Sequence, residues 1–398
     1  MKVRNLIDLI KKNITLLTVC CAYFSNVFIV NLAYVLKKGP FDFFRISELE
    51  MVHANSQSLI AQHSGMLIGV LVFGFLADRK GRMKILFFSV FLFAVSTFLI
   101  GIVTNFKLFL VLKFITGFGI ASEFGIGLVI VVEKYGNKIR SYYVAFVAIF
   151  GYLAMFLVAF LAKHVEWQNL YIFGGLVSLF IMIFRFSTFE SDIFIKFKKS
   201  PKREFLFFET KNFKGLFYLV LTILPIYFMS ASANFISVSY FKDIKLNISD
   251  SVQYFALGGI SCIVFSAVFS KKLRSRKGVI LFNIVLLFVT FVAFFYVEMT
   301  PRFHLFFSFL FGLFGTYQFE LLLFSIESFS TQMRAFATTL VYGLGRSSVF
   351  LFSLLIPKVD FFFSDYKKTC FLILTILCLL AIFSLSKLKE HYNRDLNF

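Results

Sequence analysis

Charged residues are scarce in this chain of 398 residues, and hydrophobic residues dominate it. Only 16% of the residues are Asp, Glu, Lys or Arg, whereas 59% are hydrophobic and the mean hydropathy is +0.85. A soluble fold of this length cannot hide so much apolar surface. The composition therefore predicts an integral membrane protein and excludes a soluble globular domain.

The side chains that build metal centres and disulfide frameworks are also few. The five cysteines all fall inside apolar segments, at Cys20, Cys21, Cys262, Cys370 and Cys378. The five histidines are scattered, at His53, His63, His164, His304 and His391. The sequence contains no G-x-x-x-x-G-K-[ST] loop, so an ATP-driven pump has no nucleotide-binding loop in this chain. We expect no cofactor, no metal site and no enzyme activity.

Apolar segments of about 20 residues, each long enough to cross a hydrocarbon core of about 30 Å, recur along the chain. They are apolar on all sides, whereas barrel strands alternate apolar and polar residues, so the predicted fold is an all-α integral membrane fold. The first segment is too long for the apolar core of a signal peptide and is expected to be retained. Twelve membrane-spanning helices are predicted, at 13–36, 57–77, 84–104, 108–132, 141–162, 168–186, 215–241, 251–270, 279–300, 303–326, 335–357 and 367–386.

Positive charge is concentrated on one side of the predicted membrane. If both termini lie in the cytoplasm, the cytoplasmic segments carry +18 of the formal net charge of +20. The positive-inside rule therefore predicts cytoplasmic N- and C-termini. Charge distributed in this way is expected to face lipid headgroups rather than nucleic acid. We expect a multi-pass protein of a bacterial inner (plasma) membrane that contacts membrane lipids.

A basic segment divides the chain into two parts of six predicted helices. Residues 195–214 carry seven Lys and Arg residues and are predicted to form a cytoplasmic linker. The linker separates an N-terminal six-helix bundle, residues 1–194, from a C-terminal six-helix bundle, residues 215–398.

The two halves resemble each other when the first is shifted by 194 residues. Glu133 to Arg140 then lies over Glu327 to Arg334, and both segments read E-x-x-x-x-x-x-R. The same shift lays Gly151 over Gly345. A repeat of six helices in the same orientation is typical of transporters whose substrate path lies between the halves.

A short charged loop separates the second and third predicted helices, and it reads Gly74-Phe-Leu-Ala-Asp78-Arg79-Lys-Gly81-Arg82. It resembles the G-x-x-x-D-R-x-G-R loop between helices 2 and 3 of the major facilitator superfamily. Helix 4, with Lys113, Gly117 and Gly119, is similar to the R-x-x-x-G-x-G segment of that family, with lysine in place of arginine. The metabolite-proton symporter and sugar-porter branches are the most similar. The resemblance implies a major facilitator fold of two six-helix pseudo-repeat bundles and secondary active transport.

Charged residues at the ends of several predicted helices are expected to meet on the cytoplasmic side. Asp78 ends helix 2, Glu133 ends helix 4 and Arg140 begins helix 5, so these groups share one membrane level. Ion pairs shielded between the halves could stabilise one conformation, and simple topological anchoring by positive charge is the alternative. The predicted gating residues are Gly74, Asp78, Arg79, Gly81, Arg82, Glu133, Arg140, Glu327 and Arg334.

The counterpart of the first charged loop is the turn at 271–277, which keeps the basic charge and lacks the acid. The asymmetry predicts that Asp78→Asn impairs gating more than any single substitution in that turn.

Glu123 lies ten residues before Glu133 and therefore about 15 Å into the membrane. A carboxylate at this depth is costly, so it usually faces a cavity or a partner, and often relays protons. Coupling or substrate contact is one interpretation; an ion pair with Lys113, Arg346 or another base is the other. The candidates for translocation or coupling are Lys113, Glu123, Glu320, Arg346, Asn26, Asn31, Asn234 and His63. Lys113 and Arg346 could hold an anionic substrate group or balance the acids.

These features predict a monomeric secondary active transporter. We expect it to move a small polar metabolite, such as an amino acid, a betaine or an organic acid, by alternating access with proton symport. A proton-coupled exporter of drugs or metabolites is the first alternative, although helix 5 lacks the G-P pair of drug antiporters. A transporter-like receptor that no longer moves solute is the second.

Overall fold

The computed structural model describes residues 2–36, 39–136, 139–185, 195, 210–244, 248–297, 300–363 and 366–396. Within these ranges the chain forms fifteen α-helices and no strand. The helices are α1 Lys2–Val35, α2 Gly39–Phe43, α3 Glu48–Lys80, α4 Arg82–Ile100, α5 Phe106–Ile120, α6 Glu123–Lys134, α7 Arg140–Leu161, α8 Trp167–Arg185, α9 Thr210–Ile244, α10 Ile248–Leu273, α11 Arg276–Tyr296, α12 Pro301–Gly315, α13 Gln318–Ser328, α14 Arg334–Phe363 and α15 Tyr366–Lys387.

Twelve stretches of these helices are long and apolar enough to cross a membrane, as the sequence predicts. Two of the twelve consist of two helices in succession. The fourth span, Phe106–Lys134, is interrupted between α5 and α6, and the tenth span, Pro301–Ser328, is interrupted between α12 and α13. The sequence predicts neither interruption.

Polar residues at the helix starts explain several of the boundaries. The Asn105 side chain accepts hydrogen bonds from the backbone N–H groups of Lys107 and Leu108 and so caps α5. The Thr300 hydroxyl caps α12 by accepting from the N–H of Phe303. Ser275 caps α11 in the same way. These caps satisfy backbone donors that the first helical turn leaves unpaired.

The helices pack in two groups. In the first six spans, α1 packs on α7, α3 on α5 and α4 on α8; in the last six, α10 packs on α12, and α9 on α14 and α15. The main contacts between the groups join α3 to α14 and α7 to α10. At the first of these contacts, a Cβ on Gly343 would collide with the side chain of Val70, so the glycine permits the close approach. The predicted all-α membrane fold with two six-helix bundles is confirmed.

The predicted domain boundaries stay predictions. Of the predicted linker, 195–214, only residues 195 and 210–214 belong to the described part of the chain.

Candidate translocation site

Four arginines lie at one end of the helix bundle, which we call the basic face: Arg82, Arg140, Arg276 and Arg334. The charge count predicts that this face is cytoplasmic. Two clusters of buried charges lie here. In the first cluster, Glu133 accepts a hydrogen bond from Arg82 at 2.5 Å and another from Arg334 at 2.7 Å. All three side chains are fully buried, so one carboxylate bridges arginines from both halves of the chain.

The second cluster is built around Arg276. Its guanidinium donates to both carboxylate oxygens of Glu327, at 3.3 and 3.2 Å, and to Glu320 at 3.2 Å. It also donates to the hydroxyl of Ser141, which belongs to the first half. Arg140 approaches Glu327 more loosely, at 3.9 Å.

The two clusters are related by the internal repeat. A shift of 194 residues carries Arg82 to Arg276, Glu133 to Glu327 and Arg140 to Arg334. Each glutamate is paired with an arginine of its own half and approached by one from the other half. The clusters therefore join the two halves at the basic face.

Asp78 makes a contact that the second half does not repeat. Its carboxylate accepts a hydrogen bond from the backbone N–H of Phe336, in the first turn of α14, at 2.8 Å. Arg82 lies 3.5 Å from the same carboxylate. The position equivalent to Asp78 is Lys272, and the neighbouring Lys271 lies over the ring of Tyr142 at 5.5 Å. The loop of the first half therefore has an acid that caps a helix of the second half, whereas the equivalent loop of the second half has no such acid.

Two glycines shape the loop that carries Asp78. Gly81 joins α3 to α4 with φ 112°, a conformation that favours glycine. Gly74 is packed so closely against Phe336 that an added Cβ would lie 3.3 Å from its ring. Arg79, also a predicted gating residue, is exposed and lies over the Phe75 ring at 3.9 Å.

A cavity of about 110 Å³ lies between the halves near the middle of the membrane spans. Along α1 it extends from Tyr23 to Tyr34, which is about 16 Å of helix. Its walls come from six helices and consist of Tyr23, Val27, Val30, Asn31, Tyr34, Gly151, Tyr152, Met155, Ile226, Tyr227, Phe255, Gln318, Tyr342 and Arg346. Arg346 is the charged side chain of this lining.

Arg346 is held in the cavity wall by neutral groups. Its Nη1 donates to Asn26 at 3.1 Å and to the Tyr342 hydroxyl at 2.9 Å. Asn26 in turn donates to the carbonyl of Ile120, the last residue of α5, at 3.1 Å. Within the described ranges, no carboxylate lies within 4.0 Å of the Arg346 guanidinium. Asn26 therefore links the backbone at the interruption of the fourth span to the guanidinium of Arg346, whose charge no described carboxylate neutralises.

Four aromatic rings separate the cavity from the basic face, and we call them the aromatic floor: Tyr23, Phe124, Phe319 and Tyr342. Tyr23 stacks on Phe124 with ring centres 3.9 Å apart, and Phe124 meets Phe319 edge-on at 5.5 Å. Phe124 also packs on Tyr342, at 4.8 Å. Phe124 and Phe319 directly follow the two helix interruptions and precede Glu133 and Glu327 on the same helices. The floor therefore lies between the cavity and the charge clusters.

Glu123 and Glu320 lie in the first turns of α6 and α13. The 194-residue shift does not superimpose them, because it carries Glu123 to Tyr317. Glu123 is buried, with 1% of its surface exposed. Neither Lys113 nor Arg346 is its ion-pair partner: Lys113 donates to Gln62 and to the Tyr171 hydroxyl. Glu320 is close enough to Arg276 to belong to the second cluster.

The remaining candidates are scattered around the cavity. Asn31 lines it and donates to the carbonyl of Val27 in its own helix. His63 is buried, and its Nε2 lies 2.8 Å from the Tyr34 hydroxyl, a cavity residue. The side chain of Asn234 lies outside the described part of the structure.

Sequence reasoning missed Arg276. It treated residues 271–277 as an undifferentiated basic turn, whereas Arg276 is fully buried at the centre of the second cluster. The repeat carried the signal, because the shift that aligns the glutamates also aligns Arg276 with Arg82. The sequence gives no such signal for the tyrosines of the cavity, because a tyrosine in an apolar helix is equally consistent with a role in helix packing.

A family model described as Major Facilitator Superfamily matches residues 14–353. The chain belongs to this superfamily. The transporter of sialic acid NanX from Escherichia coli is 26% identical over 299 residues, which are 70% of this chain and 71% of the relative. Organic cation/carnitine transporter 2 of Arabidopsis thaliana is 34% identical over 32% of this chain and 25% of its own length. The niacin transporter NiaP of Acinetobacter baylyi is 25% identical over 30% of this chain and 28% of its own length.

Two solved structures share the fold of this member of the superfamily. The proton:xylose symporter XylE, bound to 6-bromo-6-deoxy-D-glucose, has a TM-score of 0.74 at 14% identity and covers 98% of both chains. A human organic anion transporter has a TM-score of 0.72 at 14% identity and covers 94% of this chain and 99% of its own. The superfamily consists of carriers rather than enzymes, and this multi-pass membrane protein is a secondary transporter of that type.

Proposed function

We propose that this transporter moves a small polar metabolite by alternating access, in symport with protons. The cavity between the halves, separated from the basic face by the aromatic floor and the two charge clusters, carries the proposal. A binding space between two bundles fits a carrier whose halves rock around a central site. In this interpretation the structure represents a state closed at the basic face.

The relatives support the kind of substrate. Their names assign them to sialic acid, to niacin and to organic cations or carnitine, and sialic acid, niacin and carnitine are small polar metabolites. Each name describes that relative alone. Three different substrates among relatives of similar identity support a substrate class for this carrier rather than one compound.

The gating proposal follows from the two charge clusters. Opening the basic face requires Arg334 to leave Glu133, and Arg140 to leave Glu327, because each pair crosses between the halves. Buried ion pairs of this kind stabilise the conformation that contains them, because separating the partners leaves buried charges without compensation. We assign Gly74, Asp78 and Gly81 to the same gate as the groups that position its helices.

The proton-coupling proposal rests on Glu123. It lies in the first turn of α6, directly before Phe124 of the aromatic floor. A change in the protonation state of a carboxyl group at that point changes the charge next to the aromatic floor and the cavity. Glu320, in the first turn of α13, is held by Arg276 and is the weaker candidate for this role.

For the setting we propose a monomer in a bacterial inner membrane, with the basic face and both termini in the cytoplasm. The excess of positive charge in the segments on that side supports the orientation. Protons and membrane lipids are the further partners that this arrangement implies.

The experiment is transport by the purified protein in liposomes. Vesicles would be given a pool of labelled metabolites under a proton gradient directed inward, a proton gradient directed outward, or no gradient. The solutes inside the vesicles would then be identified by mass spectrometry. Proton symport predicts accumulation under the inward gradient alone. Accumulation driven in the opposite direction would favour the exporter. A folded protein that accumulates no solute under any gradient would contradict transport by this chain alone.

A further inference from the structure

The cavity contains one charged side chain, and that charge is not balanced. Arg346 is 8% exposed and has no carboxylate within 4.0 Å among the described residues. An unpaired cation at the depth of a membrane-spanning helix is costly and is usually retained for a function. The cost would be reduced by an anion that enters the cavity.

The hydrogen bonds of Arg346 leave the carboxylate-binding edge of the guanidinium unused. Asn26 and Tyr342 both accept from Nη1. Nε and Nη2 donate to no described acceptor, and neither nitrogen is sealed off from the cavity. Parallel N–H groups on one edge of a guanidinium bind the two oxygens of a carboxylate together. The neutral contacts at Nη1 therefore orient the group for such a ligand.

Aromatic rings surround this edge of the cavity. Five of the fourteen lining residues are tyrosines, and the Tyr342 ring lies 5.6 Å from the guanidinium carbon. The Tyr152 hydroxyl lies 2.9 Å from that of Thr316, behind the lining, and the Tyr227 hydroxyl donates to Gln318 of the wall at 2.7 Å. Their ring faces remain as a surface for an apolar or planar body.

We propose that the substrate carries a carboxylate bound by Nε and Nη2 of Arg346, on a small body that packs between the tyrosine rings. This inference rests on the proposed transport function and narrows it to one substrate class. Neutral and purely cationic metabolites are excluded, because neither would neutralise Arg346.

Liposome uptake separates this inference from the transport function. The labelled pool would contain organic acids, zwitterionic amino acids, amines and neutral sugars, and each accumulated carboxylate would then compete with its own primary amide. We expect every accumulated compound to carry a carboxylate, and its amide to compete at least about tenfold more weakly. Accumulation of sugars or amines alone would overturn the inference while leaving transport in place. No accumulation of any class would count against both.

Two substitutions of the arginine sharpen the test. Arg346→Gln should lower carboxylate uptake at least about tenfold. Arg346→Lys should retain part of the uptake, because lysine keeps the charge but cannot bind a carboxylate in the bidentate manner of arginine. Arg302→Gln removes an exposed arginine on α12 and is the matched control, expected to leave uptake unchanged. Thermal unfolding would confirm that the variants fold. Full carboxylate selectivity in folded Arg346→Gln would overturn the assignment.

A second feature, independent of the cavity, lies at the basic face. Residues 388–396 follow α15, and we call them the plug segment. Its contacts include Lys277 to the Leu388 carbonyl at 2.6 Å, Ser275 to Glu390 at 2.6 Å, Arg276 to Asn393 at 3.4 Å, Arg140 to the Arg394 carbonyl at 2.7 Å and Arg334 to the Leu396 carbonyl at 3.0 Å. The segment therefore binds three of the four arginines that define the basic face.

The end of the plug segment is inserted rather than laid on the surface. Leu396 is fully buried and belongs to the main hydrophobic core. Its carbonyl accepts from Arg334, which also holds Glu133. Arg140, which binds the carbonyl of Arg394 two residues earlier, belongs to the other half of the chain. One short segment thus bridges the two halves at the level of the charge clusters.

We infer that the plug segment holds the basic face closed and must leave one half before that face opens. Separating the halves moves Arg140 away from Arg334, and a segment with carbonyls on both arginines cannot follow both. Leu396 has to leave the core or the segment has to leave Arg140. Removal of the segment should therefore shift the carrier toward the state that is open at the basic face and closed at the opposite one.

Accessibility of the cavity from the opposite face tests this inference. Met155→Cys places a thiol in the cavity wall, and an impermeant maleimide added at that face reports whether the cavity is open there. We expect the labelling rate to fall about tenfold when residues from 388 onward are removed, and to fall in the full-length chain with Leu396→Asp. Uncovering of the basic face alone would leave this rate unchanged, so the readout distinguishes a shift in conformation from simple loss of a cover.

Controls keep the result decisive. Lys389→Ser alters an exposed residue of the plug segment and should leave the labelling rate unchanged. Leu396→Ala is the milder variant if Leu396→Asp fails to fold, and thermal unfolding monitors both. The parent without Met155→Cys gives the background from the five native cysteines. Equal labelling of intact and truncated protein would overturn the inference, as would faster labelling after truncation.

Discussion

Asp78 and Phe336 are 258 residues apart in sequence and are joined by a hydrogen bond of 2.8 Å between the carboxylate of one and the backbone N–H of the other. Phe336 lies in the first turn of α14, where N–H groups lack partners within the helix. A negative charge at that position also interacts favourably with the helix dipole. The acid of one half therefore stabilises the start of a helix in the other half.

Asp78→Asn should weaken the closed state of the basic face. Asparagine keeps an oxygen that accepts a hydrogen bond but loses the charge that interacts with the helix start and with Arg82, a change worth about 1 kcal/mol. A cysteine at half-buried Ser330, in the turn before α14, should then react faster with a maleimide added at the basic face. Asp250→Asn, which breaks an exposed pair with Lys163, is the control and should change this rate little. Equal effects of both substitutions would return Asp78 to the role of a topological anchor.

Glu133 and Arg334 should be strongly coupled in a double-mutant cycle, and Glu327 and Arg140 weakly coupled. The first pair is fully buried at 2.7 Å, whereas the second is separated by 3.9 Å. For the pairs of substitutions to Gln, we expect a coupling free energy of about 1 to 3 kcal/mol in the first cycle and less than about 0.5 kcal/mol in the second. Chemical unfolding in detergent gives both values. A stronger coupling in the second cycle would contradict the geometry.

Gly81→Ala should destabilise the protein by about 1 to 3 kcal/mol, because φ 112° is a conformation that side chains other than glycine rarely adopt. Gly136→Ala is the matched control: it lies in another loop near the basic face, and an added Cβ meets no atom within 4 Å. Its stability should change by less than about 0.5 kcal/mol. Thermal unfolding of the two variants side by side measures the difference. Similar unfolding of both variants would show that the loop adapts to a side chain.

Glu123→Gln should abolish accumulation driven by a pH gradient and spare exchange of labelled for unlabelled substrate. Glutamine keeps the shape and polarity of the side chain but cannot release a proton, so coupling is lost while the cavity is kept. Glu50→Gln, an exposed residue of α3, is the control and should retain both activities. Unchanged accumulation in Glu123→Gln would remove this residue from proton coupling.

The sequence was sufficient for the spans, the repeat and part of the buried charge clusters. Length and hydropathy decide where a helix crosses the membrane, and an acid or base at a helix end has few other places to lie. Asp78, Glu133 and Arg334 follow from this reasoning. Arg276 did not, because a turn with five basic residues conceals the one that is buried. The expectation that Asp78→Asn impairs gating more than any single substitution in 271–277 stays a prediction, and substitution of buried Arg276 is its most demanding test.

The cavity could not be predicted, because its walls depend on the rotation of each helix about its axis. The interruptions after Ile120 and Gly315 contain no proline, the residue that most clearly predicts a break in a helix. They are set by tertiary contacts, such as the hydrogen bond from Asn26 to the Ile120 carbonyl. The contacts of the plug segment could not be predicted from the sequence either, because its main contacts use backbone carbonyls, which every residue possesses.

Two tyrosines of the cavity rest on glycines that the repeat places in register. The Tyr23 ring lies where a Cβ on Gly151 would be, and the Tyr227 ring lies against Gly345 in the same manner. A single methyl group at either glycine would push a ring into the cavity without altering any polar group of the wall. The carrier therefore has an evolutionary route to a new substrate shape that leaves its charge chemistry intact, and paralogues that differ at these two glycines are expected to differ in the bulk of what they carry.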